Sequence, residues 1–346
     1  MKSRKLLRTS RVLVSLFVLV VVLAGCVAPA APAANAPAAG APAESDVYEV
    51  IFIPKLIGIP WFNTMEKGFK DYAAKTGKLN ITMMGAPDTD PAAQARMIED
   101  AIAKQPDAII VVPNDTATVE PLMKKGMDAG ILMLTQEAPG IENAVADIEF
   151  LILEQEGKDM MDLLVKNVGD SGEYAIMVGG LTVEGHNLRA DAMVAYQEAN
   201  FPNLKQATSR VEGSENVQAA HDKVLELITA YPDLKGMVII GSLGGIGAAQ
   251  AVKEKNLIGK FAIVGSSVPS EAKPYLEDKS MAACYIGNPY RIGLDSGYIV
   301  EQLLEGKQLA DLTDLPEYGA AKVDGKIITF HADTEVTAEN ADSFGF

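Results

Sequence analysis

From residue 48 onward the chain alternates short apolar runs with longer stretches in which apolar residues recur at helical spacing. The run Val50-Ile51-Phe52-Ile53 is apolar throughout, and Phe62, Met65 and Phe69 follow it at helical spacing. Strands that are apolar on both faces occur in parallel sheets covered by helices on both sides. One set of repeats precedes about residue 140 and another follows it. The sequence therefore predicts an α/β fold with two doubly wound parallel-sheet lobes.

The predicted strands are residues 50–53, 81–84, 108–112, 131–134, 174–178, 204–210, 237–240, 261–264 and 281–286. The predicted helices are residues 61–76, 91–103, 119–129, 151–167, 187–199, 215–230, 246–255, 270–277 and 290–305. Near the C-terminus, residues 321–330 predict a β-hairpin that turns at Asp324-Gly325.

The N-terminus has the layout of a secretory signal. Five cations precede an apolar run that is short for a membrane span and ends at Leu23-Ala24-Gly25-Cys26. This ending resembles the lipobox of bacterial lipoproteins, which implies a signal peptide over residues 1–25 and a lipidated Cys26; an uncleaved anchor helix is the alternative. The Ala/Pro-rich residues 26–47 predict a flexible tether. We expect an extracytoplasmic protein, lipid-anchored to a bacterial membrane, in the periplasm or on the outer face of the cell.

Composition excludes several classes of site. Loss of the five N-terminal cations takes the formal net charge from −16 to −21, and so acidic a surface disfavours nucleic acid as a partner. With Cys26 lipidated, Cys284 has no disulfide partner, and its apolar neighbours predict a buried small side chain. Three histidines without a Cys/His cluster predict no metal site, and no cofactor is expected.

Polar side chains follow nearly every predicted strand. In open parallel sheets, ligands bind beyond the carboxyl ends of the strands, so these residues are candidates for ligand binding, although each alone could be a helix cap or turn residue. They are Lys55, Asp88, Asn114, Asp115 and Glu137 in the first half, and Glu184, His186, Asn187, Arg189, Ser242, Ser267 and Asn288 in the second. A mixture of amides, carboxylates, hydroxyls and cations suits a neutral polyhydroxylated ligand, because each ligand hydroxyl both donates and accepts.

Two aromatic residues, Trp61 and Phe62, extend this set. They follow the Lys55 loop at the start of the first helix, and Trp61 is the only tryptophan in the chain. We expect Trp61 to stack on the apolar face of a sugar-like ligand. Phe62 fits a core position as well as a ligand contact.

A glycine-rich loop suggests a dehydrogenase as an alternative. Residues 241–247 have the glycine spacing of the short-chain dehydrogenase phosphate loop and lie between a predicted strand and helix. The loop lies in the second half of the chain, however, and the one Tyr-x-x-x-Lys match, at residues 231–235, contains Pro232 and precedes the loop. We therefore expect a binding protein and not an enzyme.

Several segments resemble a known family. Residues 52–62 (FIPKLIGIPWF), 107–115 (DAIIVVPND), 230–236 (AYPDLKG) and 339–346 (ENADSFGF) are similar to type I periplasmic solute-binding proteins of ABC importers, within the autoinducer-2-binding and rhamnose-binding branch. The resemblance covers residues 48–346. It implies two lobes joined by a three-strand hinge, which close on a ligand held between them.

The resemblance also implies site residues and boundaries. Lys55 matches a ligand-contacting lysine, Glu137 and Glu184 stand where the family has aspartates, and Gly185 replaces a glutamine. Much of the pocket therefore differs, and a sugar, a sugar alcohol and autoinducer-2 remain alternative ligands. The implied crossovers lie near residues 138–147, 265–268 and 307–313. They assign residues 48–139 plus 268–307 to the N-terminal lobe and 140–267 plus 308–346 to the C-terminal lobe.

The function that this implies is capture of a small polyhydroxylated ligand by a monomer that delivers it to the permease subunits of an ABC importer. A ligand sensor that docks on a receptor kinase or chemoreceptor is the alternative.

Overall fold

The computed structural model describes residues 47–346, which belong to one compact unit that contains two lobes. The predicted signal peptide, the lipidated Cys26 and the tether up to residue 46 lie outside the described residues. The strands are β1 (Tyr48–Ile53), β2 (Leu79–Met83), β3 (Ala108–Val111), β4 (Leu132–Gln136), β5 (Ala146–Glu149), β6 (Ser171–Val178), β7 (Asn203–Gln206), β8 (Val211–Glu212), β9 (Leu234–Ile239), β10 (Ala262–Gly265), β11 (Ala283–Ile286), β12 (Asp314–Leu315), β13 (Gly319–Ala320), β14 (Lys322–Asp324), β15 (Ile327–Thr329) and β16 (Thr334–Val336).

The helices alternate with these strands, as the sequence predicts. They are α1 (Pro60–Thr76), α2 (Pro91–Ala103), α3 (Thr116–Asp128), α4 (Leu153–Val168), α5 (Glu184–Asn200), α6 (Val217–Ala230), α7 (Gly244–Glu254), α8 (Pro269–Glu277) and α9 (Pro289–Leu304). Proline at the first position of α1, α2, α8 and α9 suits a helix start, because the missing N–H has no partner within the helix there. None of the helices within residues 47–346 is both long and apolar enough to cross a membrane.

The first lobe is built on a seven-stranded sheet in the order β14-β15-β5-β4-β3-β1-β2. Strands β1 to β5 and β15 run parallel, and β14 pairs antiparallel with β15. Phe52, Phe62 and Phe69 pack between this sheet and α1, while Ile53 and Met123 belong to the core on the opposite face. The predicted hairpin at residues 321–330 is confirmed as β14 and β15.

The second lobe is built on a sheet in the order β16-β11-β10-β9-β6-β7, with β8 also paired to β6. All of these pairings are parallel except that of β16 with β11. Helices α4 and α5 pack together on one face, where Met160, Leu164 and Met193 are buried. Helices α6 and α7 pack together and bury Val224 and Val252 in another part of the core. The two doubly wound lobes predicted from the sequence are confirmed.

The chain crosses between the lobes at places other than those implied by the resemblance. Strand β5 and the β14–β15 hairpin pair within the first sheet, whereas β11 pairs with β10 in the second. Of the segment 268–307, only α9 returns to the first lobe, where it packs on α1. A Cβ on Gly68 of α1 would overlap the carbonyl oxygen of Tyr290, so glycine permits this close packing. The crossovers therefore lie at residues 150–152, 287–288 and 330–333.

Candidate ligand-binding cleft

The carboxyl ends of both sheets face a cleft that contains about 400 Å³ of space, including open solvent at its mouth. Both lobes contribute to its walls. The lining residues are Lys55, Ile59, Trp61, Phe62, Glu137, Phe150, His186, Arg189, Glu215, Gly241, Ser242, Ser266, Ile286 and Asp333.

The first lobe contributes an aromatic wall. Pro60 starts α1 and thereby places Trp61 and Phe62 in its first turn, directly after the loop that follows β1. The Trp61 ring lies 6.1 Å from that of Phe150, which follows β5 at the first crossover. Trp61 is 8% exposed and Phe62 only 1%, so Phe62 is largely a core residue whereas Trp61 remains at the cleft.

Lys55 lies in the first-lobe wall and contacts residues of both lobes. Its Nζ is 3.3 Å from Glu137 Oε2 in the first lobe and 3.3 Å from Glu215 Oε1 in the second. Burial by itself lowers the pKa of Lys55, but the two carboxylates more than offset this effect and raise the pKa above its ordinary value. The buried ammonium therefore stays charged, and Asn114 supports its loop by donating to the Lys55 carbonyl at 2.8 Å.

Glu137 reaches the cleft from a left-handed backbone conformation. It follows β4 with φ of 59°, which is uncommon for a residue other than glycine. Such conformations occur often at binding sites, where the surrounding structure over-determines them. Here the turn places the Glu137 carboxylate against Lys55 instead of continuing the strand.

His186 is held as a neutral ring next to Lys55. Its Nδ1 lies 3.0 Å from the N–H of Gly179 and its Nε2 lies 2.8 Å from Lys55 Nζ, and a neutral ring accepts a hydrogen bond at only one of these nitrogens. Burial, together with the nearby Lys55 and Arg189 cations, lowers the pKa of His186 well below its ordinary value.

A charged network forms the second-lobe wall. Arg189 on α5 donates to the fully buried carboxylate of Glu156 through Nε at 3.0 Å and also through Nη2. The same Nη2 lies 3.4 Å from Asp333 Oδ2 and 3.3 Å from Ser266 Oγ. Burial raises the pKa of Asp333 well above its usual range, and Glu156 raises it further. Asp333 therefore takes up a proton more readily than an exposed aspartate does, beside a guanidinium that remains charged.

Seven of the fourteen residues predicted to bind the ligand line this cleft: Lys55, Trp61, Phe62, Glu137, His186, Arg189 and Ser242. The others lie elsewhere. Asp115 and Asn288 cap α3 and α9, and Ser267 donates to the Ser266 carbonyl from a fully buried position. Asn187 donates within its own lobe, to the carbonyls of Gly180 and Val183.

The remaining three predicted residues do not line this cleft. Asp88 and Asn114 line a separate cavity, which Glu215 also lines. Glu184 is not among the lining residues of either cavity, because its carboxylate is bonded to the opposite lobe. The resemblance implies that Glu184 contacts the ligand, and this remains a prediction, although its carboxylate bonds to Thr116 and Gly140 here.

The sequence interpretation missed Glu215, Ser266 and Asp333 as lining residues. Glu215 follows β8, a strand of two residues that leaves no apolar run to recognise. Asp333 lies in the third crossover, which was expected elsewhere. Next to Ser266, the neighbouring Ser267 was the predicted contact.

The glycine-rich loop has a packing role in this structure. A Cβ on Gly247 would overlap the Val217 carbonyl oxygen, and one on Gly244 would lie 2.7 Å from Ser214 Cα. These glycines allow α7 to pack closely on α6, which accounts for their spacing without a dinucleotide. Within residues 47–346, no group of three or more His, Cys, Asp or Glu side chains is arranged to hold a metal ion.

Comparison with known proteins identifies the family. The model described as a periplasmic binding protein domain matches residues 50–308, which is more than half of the chain. The chain belongs to the periplasmic binding protein family. The fold is the type I fold of that family, and its members are binding proteins, in agreement with the prediction that the chain is not an enzyme.

Individual relatives are distant. The D-ribose/D-allose-binding protein of Pseudomonas aeruginosa is 23% identical over 248 residues, which cover 68% of this chain and 75% of the relative. A solute-binding protein from Clostridium phytofermentas with bound L-rhamnose has a TM-score of 0.79 at 21% identity, covering 86% of this chain and 98% of that one. LsrB from Clostridium saccharobutylicum in complex with AI-2 has a TM-score of 0.78 at 21% identity, covering 86% and 100%.

Proposed function

We propose that this protein is the lipid-anchored solute-binding component of an ABC importer and that it captures a sugar, a sugar alcohol or an autoinducer-2-like molecule between its lobes. The observation that carries this proposal is the composition of the cleft. One wall presents the aromatic rings of Trp61 and Phe150, and the other presents Arg189, Ser266 and Asp333. Sugars have an apolar ring face and many hydroxyls, so the two walls match the two surfaces of such a ligand.

The electrostatics of the cleft favour an oxygen-rich ligand. The ammonium of Lys55 is a charged donor at the cleft, and it gains a partner when a ligand oxygen accepts from it. The carboxylates of Glu137 and Glu215 accept from ligand hydroxyls on the same side. A purely apolar ligand would leave these groups desolvated without partners, at about 1–3 kcal/mol for each group.

The relatives support the same ligand class. Their names and bound molecules include ribose, allose, xylitol, rhamnose, tagatose, arabinose and AI-2. The lipid anchor rests on the lipobox-like end of the N-terminal segment at Cys26. Palmitate labelling of cells that express the full chain tests the anchor, with Cys26→Ser as the variant that must lose the label.

A thermal-shift screen tests the ligand class. Pentoses, hexoses, deoxysugars, polyols and autoinducer-2 are each added to the purified protein, and the fluorescence of Trp61, the only tryptophan, reports binding at the cleft. At about 100 times its dissociation constant, the true ligand should stabilise the fold by about 2.7 kcal/mol. If no member of these classes shifts the melting temperature or the Trp61 emission, the proposed ligand class is wrong.

Variants of the Lys55 contacts test the site itself. We expect Lys55→Met and Glu137→Gln each to weaken ligand binding by about 1.5–3 kcal/mol in calorimetry, because each loses a charged hydrogen bond. Lys124→Met is the matched control, since Lys124 forms an exposed ion pair with Asp128 on α3. Unchanged affinity in both site variants would contradict the assignment.

Import is tested in cells. Deletion of the gene should abolish high-affinity uptake of the identified ligand, and expression of the wild-type chain should restore it. Normal uptake in the deletion strain would show that the protein is not required for transport of the ligand it binds.

A further inference from the structure

The two lobes contact each other directly along one rim of the cleft, which we call the closing seam. It consists of residues 182–185 of the second lobe against residues 114–116 and 137–140 of the first. Glu184 Oε2 accepts from Thr116 Oγ1 at 2.8 Å, and its Oε1 accepts from the N–H of Gly140 at 3.0 Å. Thr182 Oγ1 donates to the Asn114 carbonyl at 2.9 Å. All three hydrogen bonds join one lobe to the other.

The carboxylate of Glu184 bonds across the seam and not to the start of its own helix. Glu184 is the first residue of α5, where a carboxylate ordinarily satisfies N–H groups of its own helix. The residue before it, Val183, provides no side-chain cap. The Glu184 carboxylate nevertheless bonds only to first-lobe groups among the described residues. Its contacts therefore exist only while the lobes are together.

Gly185 brings the two backbones into contact at the same seam. A Cβ at this position would lie 2.8 Å from Glu137 Cβ and 2.9 Å from the Glu137 carbonyl oxygen, both in the opposite lobe. Gly185 does not have a positive φ, so its own conformation does not require glycine. The glycine is explained by the close approach of the lobes. Because Glu137 meets it with backbone atoms, no side-chain rotation relieves the overlap.

We propose that the closing seam is a ligand-independent latch, and that Glu184 and Gly185 set the affinity for every ligand by one common factor. The apparent dissociation constant of a two-state binder is divided by the fraction of molecules that reach the binding-competent state. Seam contacts stabilise the closed state without touching the ligand, so they act on that fraction alone. Residues that line the cleft also act on the choice between ligands. This inference rests on the proposed function only in requiring that binding accompanies closure.

The first test compares Glu184→Ala with Glu120→Ala. Glu120 is the matched control, since its carboxylate accepts the N–H groups of Glu142 and Asn143 from a loop of the same lobe. We expect Glu184→Ala to lower the affinity for two different ligands by the same factor, about tenfold, which corresponds to one charged hydrogen bond of net 1.4 kcal/mol. The loss of affinity should result from faster dissociation of each ligand. Glu120→Ala should leave both affinities unchanged.

The second test uses Gly185→Ala, which forbids the observed closure by overlap. Alanine favours a helix more than glycine does, so the melting temperature of the unliganded variant should not fall. A lower melting temperature would show that the variant fails to fold properly. Spin labels at Met127→Cys and Ile258→Cys, which are 38% and 41% exposed on opposite lobes, measure the distance between the lobes in the full chain. Both seam variants should have a smaller closed population than the wild type, with or without ligand.

The outcomes separate this inference from the proposed function. A change in the ratio of affinities for two ligands in Glu184→Ala would mean that Glu184 touches the ligand, and the latch would be wrong. Wild-type interlobe distances and affinities in Gly185→Ala would also overturn it. If the wild type binds no sugar while the label distances still respond to the seam variants, the ligand proposal fails and the latch stands.

Discussion

The two walls of the cleft differ in chemistry. The first lobe supplies Trp61, Phe62 and Phe150, with Lys55 and Glu137 as its charged groups. The second lobe supplies polar groups that each bond to a group of the same lobe or to Lys55, and these are His186, Arg189, Glu215, Ser266 and Asp333. An aromatic wall contributes contact area with little preference among sugars, whereas directed donors and acceptors distinguish one hydroxyl arrangement from another. The difference therefore assigns selectivity mainly to the second wall, whereas the aromatic rings of the first wall add affinity that is common to different sugars.

The largest expected effect is on the second wall. Arg189→Met removes the cation from the fully buried Glu156, and the free energy of unfolding should fall by about 3–5 kcal/mol because an uncompensated buried charge remains. Urea unfolding followed by circular dichroism measures it. Adding Glu156→Gln should recover a large part of the loss. The exposed Lys124→Met control should change stability by less than about 1 kcal/mol. A similarly small change in Arg189→Met would mean that the network is open to water.

The next effect concerns the ion pair between Lys55 and Glu215, which joins the two walls. Glu215→Gln removes the second-lobe partner of Lys55, and ligand affinity should fall by about 1.5–3 kcal/mol, with the dissociation rate carrying most of the change. Glu137→Gln is the comparison, because Glu137 contacts Lys55 from within the same lobe. Stopped-flow measurement of Trp61 fluorescence gives both rates. Equal dissociation rates in the two variants would show that the pair does not help to hold the walls together.

A smaller effect, on the pH dependence of stability, is expected for one of two pairs of buried carboxyl groups behind the walls. Glu156 and Asp333 share Arg189, but the described residues provide no cation to Asp147 and Glu149 on β5. Burial raises the pKa of Glu149 well above its usual range, and Asp147 raises it further. A raised carboxyl pKa means that the folded state binds more protons than the unfolded state, so this contribution to stability is lost as pH rises from the ordinary glutamate pKa toward the raised one.

Glu149→Gln does not titrate and should escape this loss. The difference in unfolding free energy between the variant and the wild type should shift in favour of the variant as pH rises from 5 to 8, by at most about 1.4 kcal/mol per pH unit. Thermal unfolding at several pH values measures it. Glu154→Gln, at an exposed position in the first turn of α4, is the control. A difference that is constant with pH would indicate that Glu149 is ionised in the folded protein.

The same contrast explains what sequence reasoning predicted and what it missed. Lys55, Trp61 and Glu137 follow long apolar strands or open a helix, so local pattern was sufficient to place them at the cleft. Strand β5 has the sequence Ala-Asp-Ile-Glu. Because two of its four residues are acidic, it has no apolar run that predicts a strand, although it pairs with both β4 and β15. The first crossover follows this strand, whereas the resemblance implied a crossover near residues 138–147. Asp333 and Glu215 depend on such non-local pairing, because neither follows an apolar run that a sequence pattern detects.

Glu184 illustrates the remaining limit. Its place after a predicted strand predicted a side chain in the cleft, and its neighbours His186 and Arg189 do line the cleft. The direction of its carboxylate depends on Thr116 and Gly140, which belong to the other lobe. No pattern within one segment contains that information, since it is set by how the two lobes meet.

The smallest expected effect is on the first wall. Trp61→Leu keeps an apolar side chain but removes the ring that faces the cleft and lies 6.1 Å from Phe150. Affinity should fall by about 0.5–1.5 kcal/mol, the value of aromatic geometry beyond buried area, and by the same amount for ligands that differ only in one hydroxyl. Ser266→Ala, on the opposite wall, should instead change the ratio between such ligands. Calorimetry with two epimers decides: if Trp61→Leu alters the ratio and Ser266→Ala does not, the assignment of affinity and selectivity to the two walls is reversed.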